Sequence, residues 1–226
     1  MSPTSGTVAP PPTEHSFADL GATPTTLTSL ARVGIEHPFP IQTLCLPLAL
    51  AGVDLIGQAR TGTGKTLAFG IPIVQEVDPD LAEVQALVLV PTRELCLQVA
   101  GDIDTAGRDA GVRAVAIVGG RPLGPQIVAL NEGAQVVAGT PGRVLDHLRQ
   151  RHLKLDRLRI LVVDEADEML DLGFLPDVES LLAKTPELRQ TMLFSATMPS
   201  DIVTLARRHM RHPVNVRAES AEDSQT

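Results

Sequence analysis

Ala59-Arg60-Thr61-Gly62-Thr63-Gly64-Lys65-Thr66 is the stretch that decides how this chain reads. An apolar run, Val53 to Ile56, precedes it, and a helical pattern begins near Lys65. Glycines let the backbone curl so that successive N–H groups point inward at phosphate oxygens. The N-terminus of the following helix adds partial positive charge at the same place. This is the pattern of a phosphate-binding loop. Lys65 would reach the β- and γ-phosphates, and the Thr66 hydroxyl would ligate Mg²⁺. The general pattern has Gly where Ala59 stands, so the chain departs from it at one position.

Outward from the loop, strand and helix patterns alternate. Strands are expected at Val53–Ile56, Ala86–Val90, Val112–Val118, Gln135–Ala138, Ile160–Val163, Thr191–Phe194 and Val214–Val216. Helices are expected at Thr25–Val33, Ile41–Ala51, Thr66–Gln75, Arg93–Ala110, Pro122–Leu130, Arg143–Gln150 and Asp201–Met210, and from Glu165 and Leu175. Pro72 is expected to end or kink its helix. Such alternation argues for an α/β fold, a mostly parallel central sheet with helices on both faces. Ligands of these folds sit at the carboxyl ends of the strands. Met1 to Glu14, rich in Ser, Thr, Pro and Gly, is expected to be disordered. One domain is expected over 15–217, with 218–226 as an acidic linker or tail.

Composition restricts the function classes. The chain has 226 residues, 43% hydrophobic but only 2% aromatic, with no Trp or Tyr. A surface built on aromatic stacking is therefore not expected. The formal net charge is −8, whereas an electrostatically driven nucleic-acid binder is normally basic. Any nucleic-acid contact must rest on local geometry or on a basic partner. Cys45 and Cys96 lie far from any second ligand at metal spacing and read as buried small hydrophobes. The scattered histidines read as surface or loop residues. No apolar stretch approaches the ~20 residues of a membrane span. A soluble, cytoplasmic, monomeric protein with no membrane association is the expectation.

Ile160 to Val163 delivers Asp164, Glu165 and Asp167 to a strand end. Asp164 there would hold Mg²⁺, and Glu165 could orient and deprotonate an attacking water. Pro91-Thr92-Arg93 and Thr140-Pro141-Gly142-Arg143 share another design, a strand, a Thr near an N-cap and a helix with Arg in its first turn. Gly119-Gly120-Arg121 is a third loop of this kind. Together they suggest a track for a phosphodiester backbone, in which helix N-termini replace bulk positive charge. Gln42 alone reads as a capping or surface residue, and Ser195-Ala196-Thr197 alone as a helix cap.

The whole set, in order, resembles the first RecA-like domain of a DEAD-box RNA helicase. The motifs are Phe17 with Pro38 to Gln42, Ala59 to Thr66, Pro91 to Leu95, Gly119-Gly120, Thr140 to Arg143, Asp164-Glu165-Ala166-Asp167 and Ser195-Ala196-Thr197. The resemblance implies an ATPase that uses ATP with Mg²⁺ to remodel or unwind RNA. It places Phe17, Ile35 and Gln42 with the phosphate loop as nucleotide-binding residues, Gln42 reading the adenine. It also implies that Asp167, Ser195 and Thr197 couple the nucleotide site to RNA strand separation. Gln can pair with both N6–H and N7 of adenine. The chain departs from the family at Ile35, where an aromatic is usual, and at Phe39, where Thr or Ser is common. Nothing after Val216 resembles the family's second RecA-like domain, which carries the arginine fingers. A related DNA helicase or translocase, and a nucleotide- or RNA-binding module without turnover, are the alternatives.

Overall fold

Ile160–Val163 is apolar at every position and buried on both faces, which only a central strand covered by two helix layers permits. In the computed structural model, which describes residues 15–218, this segment is β5 at the middle of a sheet. The other strands are β1 (Leu55–Gln58), β2 (Ala86–Leu89), β3 (Ala114–Ile117), β4 (Val136–Gly139), β6 (Gln190–Ser195) and β7 (Val214–Arg217). Their order is β3-β4-β2-β5-β6-β1-β7, and every pairing is parallel. The register sets Ile160 opposite Ala86 and Gln190, and Leu55 opposite Met192 and Val214.

The helices are α1 (Pro24–Ala31), α2 (Pro40–Leu50), α3 (Lys65–Glu76), α4 (Arg93–Gly107), α5 (Leu123–Asn131), α6 (Pro141–Arg149), α7 (Ala166–Asp171), α8 (Leu175–Leu182) and α9 (Ser200–His209). Strand alternation divides the core between the two faces. Val88, Val162, Met192 and Phe194 pack with Cys45 of α2, Phe69 of α3 and Cys96 of α4. Leu87, Leu161, Val163 and Leu193 pack with Val144 of α6, Val178 of α8 and Ile202 of α9. Both cysteines are free and buried, and burial pushes their thiols up to about 12.

Several boundaries differ from the sequence reading. Helix α3 runs through Pro72 to Glu76, because Ile71, Ile73 and Val74 are all buried and their packing outweighs the missing N–H. Helix α4 ends at Gly107, and a 3-10 turn covers Arg108–Ala110. Strand β1 lies two residues later than expected. His147 is fully buried on α6, contrary to the surface reading of the histidines, because its ring has a partner in Gln126. The expected disordered segment, 1–14, and all of the expected tail beyond Ala218 lie outside the described residues. Among the described residues no helix is long and apolar enough to cross a membrane.

Candidate functional site

The loop between β1 and α3 is held from three directions. Ala59 N–H donates to the Ser195 carbonyl on β6 at 3.3 Å. Thr63 Oγ1 donates to the Arg60 carbonyl at 2.7 Å. Gln42 Nε2 donates to the Gly64 carbonyl at 2.8 Å, while Gln42 Oε1 accepts from Phe39 N–H at 2.8 Å. Gln42 thus caps α2, as its position alone suggested, and also braces the loop. Gly64 has φ 83°, and a Cβ there would stand 2.6 Å from Gln42 Nε2 and 2.7 Å from the Phe39 ring, so glycine is required on two counts.

Lys65 opens α3 and is only 5% exposed. Its Nζ lies 2.7 Å from Glu165 Oε1 and 3.6 Å from Asp164 Oδ1, yet it makes no aligned hydrogen bond. A buried ammonium with donors to spare is suited to further anionic oxygens. Glu165 takes a left-handed backbone, φ 51° and ψ 51°, where β5 turns into α7. Its N–H donates to Asp164 Oδ1 at 2.9 Å, and its Oε1 accepts from Thr61 Oγ1 at 2.9 Å. Burial pushes Asp164 up to about 6; Glu165 adds to the rise and Lys65 opposes it.

These groups line a cavity of about 470 Å³ together with Ile35, Phe39, Gln42, Gly62 and Thr66. Among the described lining residues Lys65 is the sole cation, against the carboxyl groups of Asp102, Asp164 and Glu165. A polyphosphate here would need a divalent cation to offset that charge, and the Asp164 carboxylate and Thr66 hydroxyl, both in the cavity lining, are oxygen donors of the kind that could hold Mg²⁺. Phe17 is 2% exposed within the α2–α4 core and does not line the cavity; nor do Ala59, Arg60 and Thr63. Sequence reading missed the far wall of the cavity, Leu95, Gln98, Asp102 and Thr105 of α4. Their spacing of three, four and three residues is a helical stripe and was the available signal.

Asp167 joins α7 to the end of β6. Its Oδ2 accepts from Thr197 N–H at 2.9 Å and from Thr197 Oγ1 at 2.8 Å, and its own N–H donates to Ser195 Oγ at 3.1 Å. Burial raises this carboxyl, but those hydrogen bonds outweigh burial and hold it below the usual range.

The three remaining loops follow β2, β3 and β4, which are neighbours at one end of the sheet. Pro91, Thr92 and Arg93 follow β2, and Thr92 Oγ1 caps α4 by accepting from Leu95 N–H at 3.2 Å. Gly119, Gly120 and Arg121 follow β3; a side chain on Gly120 would collide with the Arg93 guanidinium. Thr140, Gly142 and Arg143 follow β4. Thr140 makes no side-chain cap on α6, contrary to the capping reading; its Oγ1 instead accepts from Gly119 N–H at 3.4 Å. Arg143 Nη1 donates to the Arg121 carbonyl at 2.8 Å. The structure therefore joins all three loops into one surface.

An all-parallel sheet with a glycine loop, an acidic strand end and a Ser-Ala-Thr strand end at one edge defines a RecA-like domain. The chain belongs to the DEAD/DEAH box helicase family, whose family description matches residues 39–205. It is 50% identical over 209 residues to the ATP-dependent RNA helicase DeaD of Escherichia coli (strain K12), which covers 92% of this chain and 33% of that protein. It is 44% identical over 207 residues to the DEAD-box ATP-dependent RNA helicase CshA of Bacillus subtilis (strain 168), covering 92% of this chain and 42% of that protein. The crystal structure of a DEAD box protein from the hyperthermophile Methanococcus jannaschii superposes with a TM-score of 0.86 at 38% identity, over 92% of this chain and 57% of that one. The chain thus spans well under half the length of the two curated relatives.

Proposed function

We propose that residues 15–217 form the ATP-binding, RNA-contacting domain of an ATP-dependent RNA helicase, acting with a second RecA-like domain. The observation that carries this reading is the buried Lys65, with unused donors, paired with Asp164 and Glu165 in the lining of the cavity that Gln42 also lines. Gly62, Gly64 and the first N–H groups of α3 would wrap the ATP phosphates, and Lys65 would leave its carboxylates to meet them. Thr66 and Asp164 would hold Mg²⁺, which when bound offsets charge on the phosphate oxygens. Glu165, freed from Lys65, would orient the attacking water and take its proton. Thr61 keeps the Glu165 carboxylate in place.

RNA would lie across the loops after β2, β3 and β4. The helix N-termini and the Arg93, Arg121 and Arg143 side chains there would recognise a phosphate backbone without reading bases. Asp167, Ser195 and Thr197 link the acidic strand end to β6, which separates β5 from the β1 loop. A change in how Lys65 and Glu165 pair would thereby reach the neighbouring strand ends. The test is calorimetric titration of MgADP into the wild type and Lys65→Ala. Binding to the wild type and its loss in a folded Lys65→Ala is the expected result; equal affinity in both would overturn the reading.

A further inference from the structure

Val118, just before the Gly119-Gly120 pair, has both of its backbone polar groups taken by one side chain. Its N–H donates to Gln126 Oε1 at 3.2 Å, and its carbonyl accepts from Gln126 Nε2 at 3.1 Å. Gln126 Nε2 also donates to the Pro122 carbonyl at 3.2 Å. His147 Nε2 lies 3.3 Å from Gln126 Oε1. An amide oxygen can only accept, so His147 is the donor and its proton is assigned to Nε2. All four hydrogen-bonding positions of Gln126 are then filled. Both side chains are buried, Gln126 at 8% exposure and His147 at 0%.

The same helix holds the loop at two further points. Arg143 precedes His147 by four residues, so both lie on one face of α6. Arg143 reaches the Arg121 carbonyl, and Thr140, before α6, accepts from Gly119 N–H. Loop residues 118–122 are thus fixed at Val118 and Pro122 by Gln126, at Gly119 by Thr140 and at Arg121 by Arg143. A surface loop is ordinarily the mobile part of a fold. This one is over-determined by α5 and α6.

We propose that His147 and Gln126 are positioning residues for the RNA backbone contact at Gly119–Arg121. His147 fills the last acceptor site on Gln126, and Gln126 clamps both ends of the loop so that Gly119 stays against Thr140 and Gly120 against Arg93. Neither side chain touches RNA. This rests on the reading of these loops as the RNA surface.

The test compares His147→Leu and Gln126→Leu, which keep bulk but remove the hydrogen bonds, with His147→Gln, which restores a donor. Amide hydrogen exchange is read at Val118 to Gly120 and, as an internal control, at residues 59–64 of the free chain. Affinities for a single-stranded RNA oligonucleotide and for MgADP are read in parallel. The expected result is exchange at least tenfold faster at Val118 to Gly120 and RNA affinity at least fivefold weaker in both Leu variants. Exchange at 59–64 and MgADP affinity should stay within twofold, and His147→Gln should recover most of both losses. Unchanged exchange at Val118 to Gly120 in His147→Leu would overturn the proposal. So would an equal rise at both loops, which is a general loosening of the fold. If Arg93→Ala and Arg143→Ala bind RNA as the wild type does, the RNA reading itself falls, while the exchange data still decide whether the clamp exists.

Discussion

Gln42 Nε2 donates a 2.8 Å hydrogen bond to the Gly64 carbonyl, tying the start of α2 to the residue just before α3. With Oε1 accepting from Phe39 N–H, each amide atom of Gln42 keeps one unused position, a donor and an acceptor. That pair matches N7 and N6–H of adenine. Guanine offers acceptors at both places, so Oε1 would face O6 with no hydrogen between them. We expect Gln42→Ala to narrow the preference for ATP over GTP by roughly 1–3 kcal/mol, the cost of an unsatisfied buried group. Because the variant also releases the Gly64 carbonyl, affinity for both nucleotides should fall. Competition titrations with ATP and GTP check this; an unchanged ratio would remove Gln42 from base recognition.

Ile35 lines the cavity and is half-buried. An aliphatic side chain there offers an adenine ring contact but no stacked π face. Aromatic pairs gain about 0.5–1.5 kcal/mol beyond the area they bury. Ile35→Phe should therefore tighten MgADP by about two- to tenfold, read by calorimetry. No gain would place the base away from this wall.

Asp54 is 4% exposed and joins three segments at the end of the sheet opposite the site. Its Oδ1 accepts from Thr191 N–H at 2.8 Å, and its Oδ2 from Arg211 N–H at 2.7 Å. Hydrogen bonds to a charged group contribute about 1.5–3 kcal/mol, and removing the carboxylate strands both amides. Asp54→Ala should lower unfolding stability by roughly 2–3 kcal/mol in urea titrations. Its MgADP affinity should match the wild type, since Asp54 does not line the cavity.

Burial holds His147 below its ordinary value of 6.5, helped by His152 and Arg143 and opposed by Asp146. The folded pKa thus lies below the unfolded one, so between them the unfolded chain binds more protons. Stability contributed by the neutral ring is complete above about pH 6.5 and is lost as pH falls through the folded value. The slope is at most about 1.4 kcal/mol per pH unit for one proton. Melts from pH 7 to 5 should show a shallower loss in His147→Gln than in the wild type. Parallel curves would assign the acid sensitivity elsewhere.

Much of this was legible because the informative residues sit where strands stop. Ile160–Val163 matched its strand at both ends, since an unbroken apolar run can pair on both sides. Strand β1 shifted because Gly57 and Gln58 are poor strand formers alone. Pairing with Phe194 and Ser195 on one side and Val216 and Arg217 on the other overrides that preference. The partner of His147 lies 21 residues away on another helix, so no local pattern could reveal its burial. For the same reason the link from Thr61 to Glu165, 104 residues apart, was invisible until β1 and β5 were placed in one sheet. Thr140 had the right residue type for a cap, but its hydroxyl was claimed by Gly119 from the neighbouring strand.

Turnover by this chain alone should be slow. Phosphoryl transfer requires charge stabilisation on the transferring group, and arginine fingers in comparable enzymes contribute ~10³–10⁵ in rate. Lys65, Thr66, Asp164 and Glu165 could position ATP, Mg²⁺ and water, but among the described residues lining the cavity none is an arginine. Arg93 and Arg143 sit in the first turns of the helices that follow β2 and β4, beyond β5 and β6 from the β1 loop. Residues 1–226 should therefore bind nucleotide, hydrolyse ATP slowly, respond little to RNA and unwind no duplex. Adding a second RecA-like domain, covalently or in trans, should restore RNA-stimulated turnover. The deciding measurement is steady-state ATPase of the 226-residue chain with and without single-stranded RNA. Strong RNA-dependent turnover by the chain alone would mean that the stabilising charge comes from within it, or from a second copy. Sedimentation velocity in the presence of ATP and RNA separates those two sources.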